Sequence, residues 1–93
     1  MYVQMSIHRP RPGKEALVVD SMHRFQEALK GSPGFRSVGT YKDRRTGWLV
    51  GIALWDDFDS MVAARPRMEE STKNDRFDEW EEVEVESFRL DEV

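Results

Sequence analysis

Residues 2–8 alternate between two unlike sets, with Val3, Met5 and Ile7 on one side and Tyr2, Gln4, Ser6 and His8 on the other. A period of two marks a strand whose faces meet different surroundings. Arg9-Pro10-Arg11-Pro12-Gly13 ends it, because proline has no N–H to give to a ladder. From Lys14 to Lys30 the period lengthens. Val18, Met22, Phe25 and Leu29 stand at i, i+4, i+7 and i+11, one stripe of an amphipathic helix, and Leu17, Val19 and Ala28 widen it. Gly31 falls where a helix ends in the left-handed region, and Pro33 forbids continuation.

Phe35 to Lys42 reads as a second strand, and Asp43-Arg44-Arg45-Thr46-Gly47 as a hairpin turn. The third strand, Trp48 to Trp55, is apolar on both faces, as a strand covered on both sides must be. Asp56 or Asp57 caps a short helix with Asp59 in its first turn and Phe58, Met61 and Val62 on its apolar face. Pro66 breaks or kinks that helix. Residues 66–79 are charged and read as irregular, with one further helical turn near Met68, and are expected to be the most mobile part of the chain. Trp80 to Leu90 reads as the last strand, with Val83 and Val85 inward and Glu82, Glu84 and Glu86 outward.

The predicted order is βαββαβ within one domain spanning residues 1–93. Right-handed crossovers turn that order into an α+β, ferredoxin-like fold: a four-stranded antiparallel sheet, order 4-1-3-2, with both helices on one face. Two helices cover one face only, and the other face is apolar too. A second copy laid sheet against sheet is the economical cover, which makes a homodimer the expected partner state.

Composition narrows the function. Ten aromatics among 93 residues supply burying surface that disordered chains lack. No apolar run approaches the roughly 20 residues a membrane helix needs, and MYVQMSIHRPRPG has no signal-peptide pattern. The absence of cysteine excludes disulfides, thiolate metal sites and cysteine catalysis, and fits a reducing, cytoplasmic location. The net charge of −4 hides an asymmetry, +5 over residues 1–47 against −9 over residues 48–93. The basic residues of the first half are scattered singly and without interleaved aromatics, which argues against nucleic acid as a partner. No Gly-rich phosphate loop and no GxSxG elbow is present.

Four features together resemble the antibiotic biosynthesis monooxygenase-like (ABM) group of dimeric α+β barrels. They are Arg11-Pro12-Gly13-Lys14-Glu15 leading into the first helix, Pro33-Gly34-Phe35 after it, Leu54-Trp55 followed by an acidic-capped helix, and a final strand shortly after Phe77. The resemblance covers nearly the whole chain. It implies a dimeric barrel and, among the group's activities, oxidation of polyketide or quinol substrates without a cofactor. The group's enzymes commonly carry an Asn on the first strand and a Trp on the helix after the third strand; those positions fall near Ser6 and Ala64 here. The haem-degrading branch uses a His after the second helix, and residues 56–93 contain none. In such barrels the second strand of one subunit approaches the last strand of the other. Arg36, Lys42, Arg44 and Arg45 would then face Glu81, Glu82, Glu84 and Glu86 across the dimer.

His8 is the candidate catalytic residue, a general base for a phenol or quinol, since imidazole titrates near neutral pH. The plain alternative places it half exposed at a strand end. Gln4, Ser6 and Tyr2 share its face and, with Trp55, are the candidate substrate-binding residues. Trp48 and Trp80 could stack a flat aromatic ligand and Tyr41 could donate a proton, but packing is the favoured role of all three; Arg65 and Arg67 could admit an anion, but solvated loop cations are the favoured reading. Asp20, His23 and Glu27 look like metal ligands, but the helical wheel sets them opposite the apolar stripe, on the solvent face. What the resemblance implies, with His8 as its base, is a cofactor-independent monooxygenase of a small aromatic, quinol or polyketide-like substrate. The competing reading is a non-catalytic dimeric module that binds a small apolar ligand.

Overall fold

Tyr2–His8 (β1) is the spine of the sheet in the computed structural model, which describes residues 1–93. It pairs antiparallel with Leu49–Trp55 (β3) on one side and with Glu86–Asp91 (β4) on the other. Phe35–Lys42 (β2) lines the far edge against β3, so the order is β2-β3-β1-β4, as expected. Glu15–Leu29 (α1) and Phe58–Thr72 (α2) pack on one face, and a single turn, Phe77–Trp80 (α3), precedes β4.

The β1 alternation decides which side chains meet the helices. Tyr2 joins Leu29, Ala53, Trp55, Met61, Ala64 and Met68 in the larger core cluster. Val18, Met22 and Leu49 form a second, smaller one. Trp55, Leu29 and Val18 are wholly buried, and each large apolar side chain so hidden contributes about 1.5–3 kcal/mol. The connection before β2 depends on Gly34, which sits at φ +78°; a Cβ there would collide with the Ser60 side chain. Its carbonyl accepts the Asp56 N–H at 2.8 Å. Of the two candidate caps, Asp57 is the one used: its carboxylate accepts the Ser60 N–H at 2.8 Å, and that bond holds its pKa below the ordinary value.

Two expectations are corrected. α2 does not stop at Pro66 but runs on to Thr72. Met61, Ala64 and Met68 carry its buried stripe straight across the proline, while Pro66 itself is exposed. The helical bond that proline cannot make is thus lost on the side where water reaches, and core packing outweighs it. The last strand is also shorter than the alternation suggests, beginning at Glu86. Trp80 closes α3, Val83 is exposed, and Glu81 turns inward. Backbone bonds from Arg11 N–H to Trp80 O and from Glu82 N–H to Arg9 O (2.8 and 2.9 Å) tie this stretch to the end of β1.

The helix-free face of the sheet carries Val3, Met5 and Ile7 opposite Leu54, Ile52 and Val50, with Phe88 and Leu90 beyond. The last two are exposed. β2 and β4 are indeed opposite edges. Their charges, however, are largely matched within the chain: Lys42 with Glu15 (2.8 Å), Arg36 with Asp56 (2.6 Å), Glu86 with Arg9, and Glu81 with His8 (2.9 Å). Only Arg44, Arg45, Glu82 and Glu84 of that set have no ion pair, so the opposed-edge attraction is weaker than the raw sequence suggests.

Tyr2 gives a test of the larger cluster. Its ring meets Phe58 edge-on at 5.4 Å, yet its hydroxyl is buried without a partner. Burial pushes the phenol's pKa above its ordinary 10.0. The unfolded chain therefore releases that proton first, and stability falls as the pH rises beyond 10.0. Tyr2→Phe is expected to match the parent or exceed it by about 1 kcal/mol, since only an unsatisfied hydroxyl is lost. It should also lose part of the alkaline destabilisation. Thermal melts from neutral pH to pH 11 check both; a clear loss of stability in Tyr2→Phe would mean that the hydroxyl has a partner.

Candidate active site

The two core clusters leave a gap between them. At the centre of the sheet the helix-side residues are small: Ser6 on β1 faces Gly51 on β3 and Ser87 on β4. Large residues fill the sheet on either side of that point, with Tyr2 and Trp55 at one end and Leu49 at the other. The result is a cavity of about 380 Å³ between the sheet and the helices. Gln4, Ser6 and His8 form one wall; Met22, Phe25 and Met68 reach it from α1 and α2. Gly51 keeps it open, because a Cβ there would lie 2.9 Å from Ser6 Oγ and 3.2 Å from Met22 Cε.

His8 lies in this wall and is buried, not half exposed at a strand end. The Phe77 ring stands over it at 5.8 Å, and Glu81, itself only 3% exposed, closes the far side. Glu81 Oε2 is 2.9 Å from His8 Nδ1, and Oε1 accepts the Arg9 N–H at 3.0 Å. A carboxylate can only accept, so Nδ1 carries the proton and Nε2 of the neutral ring is the free base. On that side Ser6 Oγ lies 3.2 Å away and donates to Nε2. Ser6, His8 and Glu81 therefore form one hydrogen-bonded line ending in the cavity.

Gln4 is positioned by two other candidates. Trp55 Nε1–H donates to Gln4 Oε1 at 3.4 Å, and Gln4 Nε2 points to Met68 Sδ at 3.7 Å. Trp55 is fully buried and Tyr2 nearly so, and neither lines the cavity directly. Arg89 does line it, beside Gln4 on β4. Trp80 packs against the smaller cluster, Trp48 lies at the surface with the Arg9 guanidinium 4.1 Å above its ring, and Tyr41 is exposed. Arg67 donates to the Lys30 carbonyl at 3.2 Å, and neither it nor Arg65 lines the cavity. On α1, Asp20 pairs with Arg24 and Glu27 with Lys30 rather than with His23. No group of three or more His, Asp or Glu side chains is arranged to hold a metal ion.

Glu81 is the residue that sequence reasoning misses. It stands among Glu82, Glu84 and Glu86 and reads with them as one more edge charge, although the alternation that sets Val83 and Val85 inward puts residue 81 on their side. That parity is the one local sign; the partner itself, 73 positions away, leaves none.

No helix is long and apolar enough to cross a membrane. No protein-family model matches the sequence, and no curated protein matches it. Solved structures do match in shape. Rv0793 from Mycobacterium tuberculosis is 16% identical with a TM-score of 0.85, over 99% of this chain and 94% of that one. A crystal structure named antibiotic biosynthesis monooxygenase is 14% identical with a TM-score of 0.79, over 100% and 99%. SnoaB, a cofactor-independent oxygenase from Streptomyces nogalater, is 17% identical with a TM-score of 0.79, over 98% and 91%. The α+β fold of this chain is that of the antibiotic biosynthesis monooxygenase structures.

Proposed function

We propose that the protein is a monooxygenase that works without a cofactor on a small aromatic, quinol or polyketide-like substrate, with His8 as general base. The observation that carries this reading is the buried imidazole in the cavity wall, held in one tautomer by Glu81. Such a base removes a proton from an activated phenol or from a methylene between aromatic rings. The carbanion transfers an electron to O2, the radical pair combines to a hydroperoxide, and loss of water leaves a carbonyl. A CH2 group and O2 thus become C=O and H2O, the substrate supplying all the electrons. Gln4 and Ser6 orient the substrate oxygens, and Trp55 acts by steadying the Gln4 carboxamide.

The same reading includes a homodimer. Val3, Met5, Ile7, Val50, Ile52 and Leu54 form an apolar sheet face with no helix over it. Soluble monomers rarely leave more than a few hundred square ångströms of such surface in one patch, about 300–600 Å² at most. Twofold pairing hides both copies at once.

Oxygen uptake with a panel of quinols and anthrone-like phenols tests the activity. His8→Ala is expected to lower it by roughly 100-fold or more, the usual worth of a positioned base. Uptake unchanged in His8→Ala would clear His8 of the role. An apolar molecule retained by the protein, with no uptake on any substrate, would favour the non-catalytic binding module.

A further inference from the structure

We propose that Ser6 is a nucleophile and that the same cavity cleaves small aryl esters by acyl transfer. Nucleophilic serine needs a base within hydrogen-bond reach and a third group that orients the base. All three are present: Ser6 Oγ to His8 Nε2 at 3.2 Å, and His8 Nδ1 to Glu81 Oε2 at 2.9 Å. The His8 and Glu81 side chains are 9% and 1% exposed, so the line is shielded from water that would compete for its bonds. The constellation is recognised by geometry and not by a sequence motif, which is why the absent GxSxG elbow does not exclude it.

The surroundings fit an acyl group. Gly51 leaves the space beside Ser6 Oγ free, and Ser87 is the small neighbour on the other strand. Gln4 is the next residue on the same face of β1. Its amide N–H meets only the Met68 thioether at 3.7 Å, a weak acceptor, so it is free to donate to a developing oxyanion. The apolar roof of Met22 and Phe25 suits an aromatic leaving group.

The step balances without any co-reactant but water. Ser6 Oγ bonds to the ester carbonyl carbon as its proton passes to His8 Nε2. The carbon–oxygen bond to the phenol then breaks, and His8 returns the proton to the leaving phenolate. Water then bonds to the acyl carbon as one of its protons passes to His8 Nε2; the carbon–Oγ bond breaks, His8 returns that proton to Ser6 Oγ, and the carboxylic acid leaves.

The test is hydrolysis of p-nitrophenyl butyrate by the full-length protein in the absence of oxygen, with fluorophosphonate labelling and peptide mass spectrometry. The expected results are a phosphonyl adduct on Ser6 and at least a hundredfold loss of turnover in Ser6→Ala. Gly51→Ala, which places a methyl against Ser6 Oγ, should reduce both labelling and turnover. An adduct elsewhere, no adduct, or hydrolysis undiminished in Ser6→Ala would overturn the proposal, since an imidazole alone can cleave activated esters. Labelling of the unaltered protein decides the matter even if a variant folds poorly. Ester cleavage without oxygen uptake on any quinol sinks the oxygenase reading alone, and uptake without ester cleavage sinks this one alone.

Discussion

Glu81→Ala is expected to cost the fold about 2–4 kcal/mol, far more than any neighbouring glutamate, because it leaves buried donors without partners. Its carboxylate takes the His8 Nδ1–H at 2.9 Å and the Arg9 N–H at 3.0 Å, while its own carbonyl accepts from Arg11 Nε at 2.9 Å. The first two bonds vanish with the side chain; the third survives. Glu82→Ala and Glu84→Ala, both at exposed positions, should be nearly silent by comparison. Glu81→Gln separates stability from chemistry. An amide keeps the volume but can donate to Nδ1, which moves the imidazole proton to Nε2 and removes the free base. Activity should then fall about 100-fold or more, with much of the stability retained. Chemical denaturation measures the first effect, and nitrogen NMR of the imidazole reads the tautomer directly. Equal stability of Glu81→Ala and Glu82→Ala would show that the His8–Glu81 contact holds nothing together.

Ile52→Asp should convert a dimer into a monomer. Ile52 lies in the middle of the helix-free face, opposite Met5 on β1 and Gly39 on β2. A twofold axis would bring the substituted residue in twice, so each dimer would bury two carboxylates without partners. That is expected to weaken association by several orders of magnitude, while a monomer would tolerate aspartate on an open strand. Sedimentation velocity at micromolar concentration distinguishes the two. The parent should sediment as a dimer and stay one in high salt, because the apolar face and not the edge charges supplies the affinity. A parent that runs as a monomer would refute the assembly, and with it the reason for the apolar face.

Much of this molecule was legible from period alone. The stripe Val18, Met22, Phe25, Leu29 does mark the helix Glu15–Leu29, although Phe25 is only half buried and Leu17 is exposed. The β1 alternation separates Tyr2, Gln4, Ser6 and His8 from Val3, Met5 and Ile7, as read, and the sheet order follows from the element order. Local rules failed where long-range contacts competed with them. Pro66 signals a helix end, yet the Met61–Met68 stripe packs against the sheet on both sides of it. The Val83/Val85 alternation signals a strand, yet the regular ladder begins only at Glu86, while Glu81 turns its carboxylate to His8 and the Arg9 N–H.

The sequence by itself determined the elements, their order and which side of β1 is polar, because those depend on neighbours one to four positions away. The tertiary structure alone decided that His8 is buried, that Glu81 is its partner, and that a cavity opens over Ser6. A buried ionisable pair is stable only when both members leave water together. Residues 8 and 81 carry no mark of that bargain until the last strand returns beside the first and Phe77 closes over the imidazole.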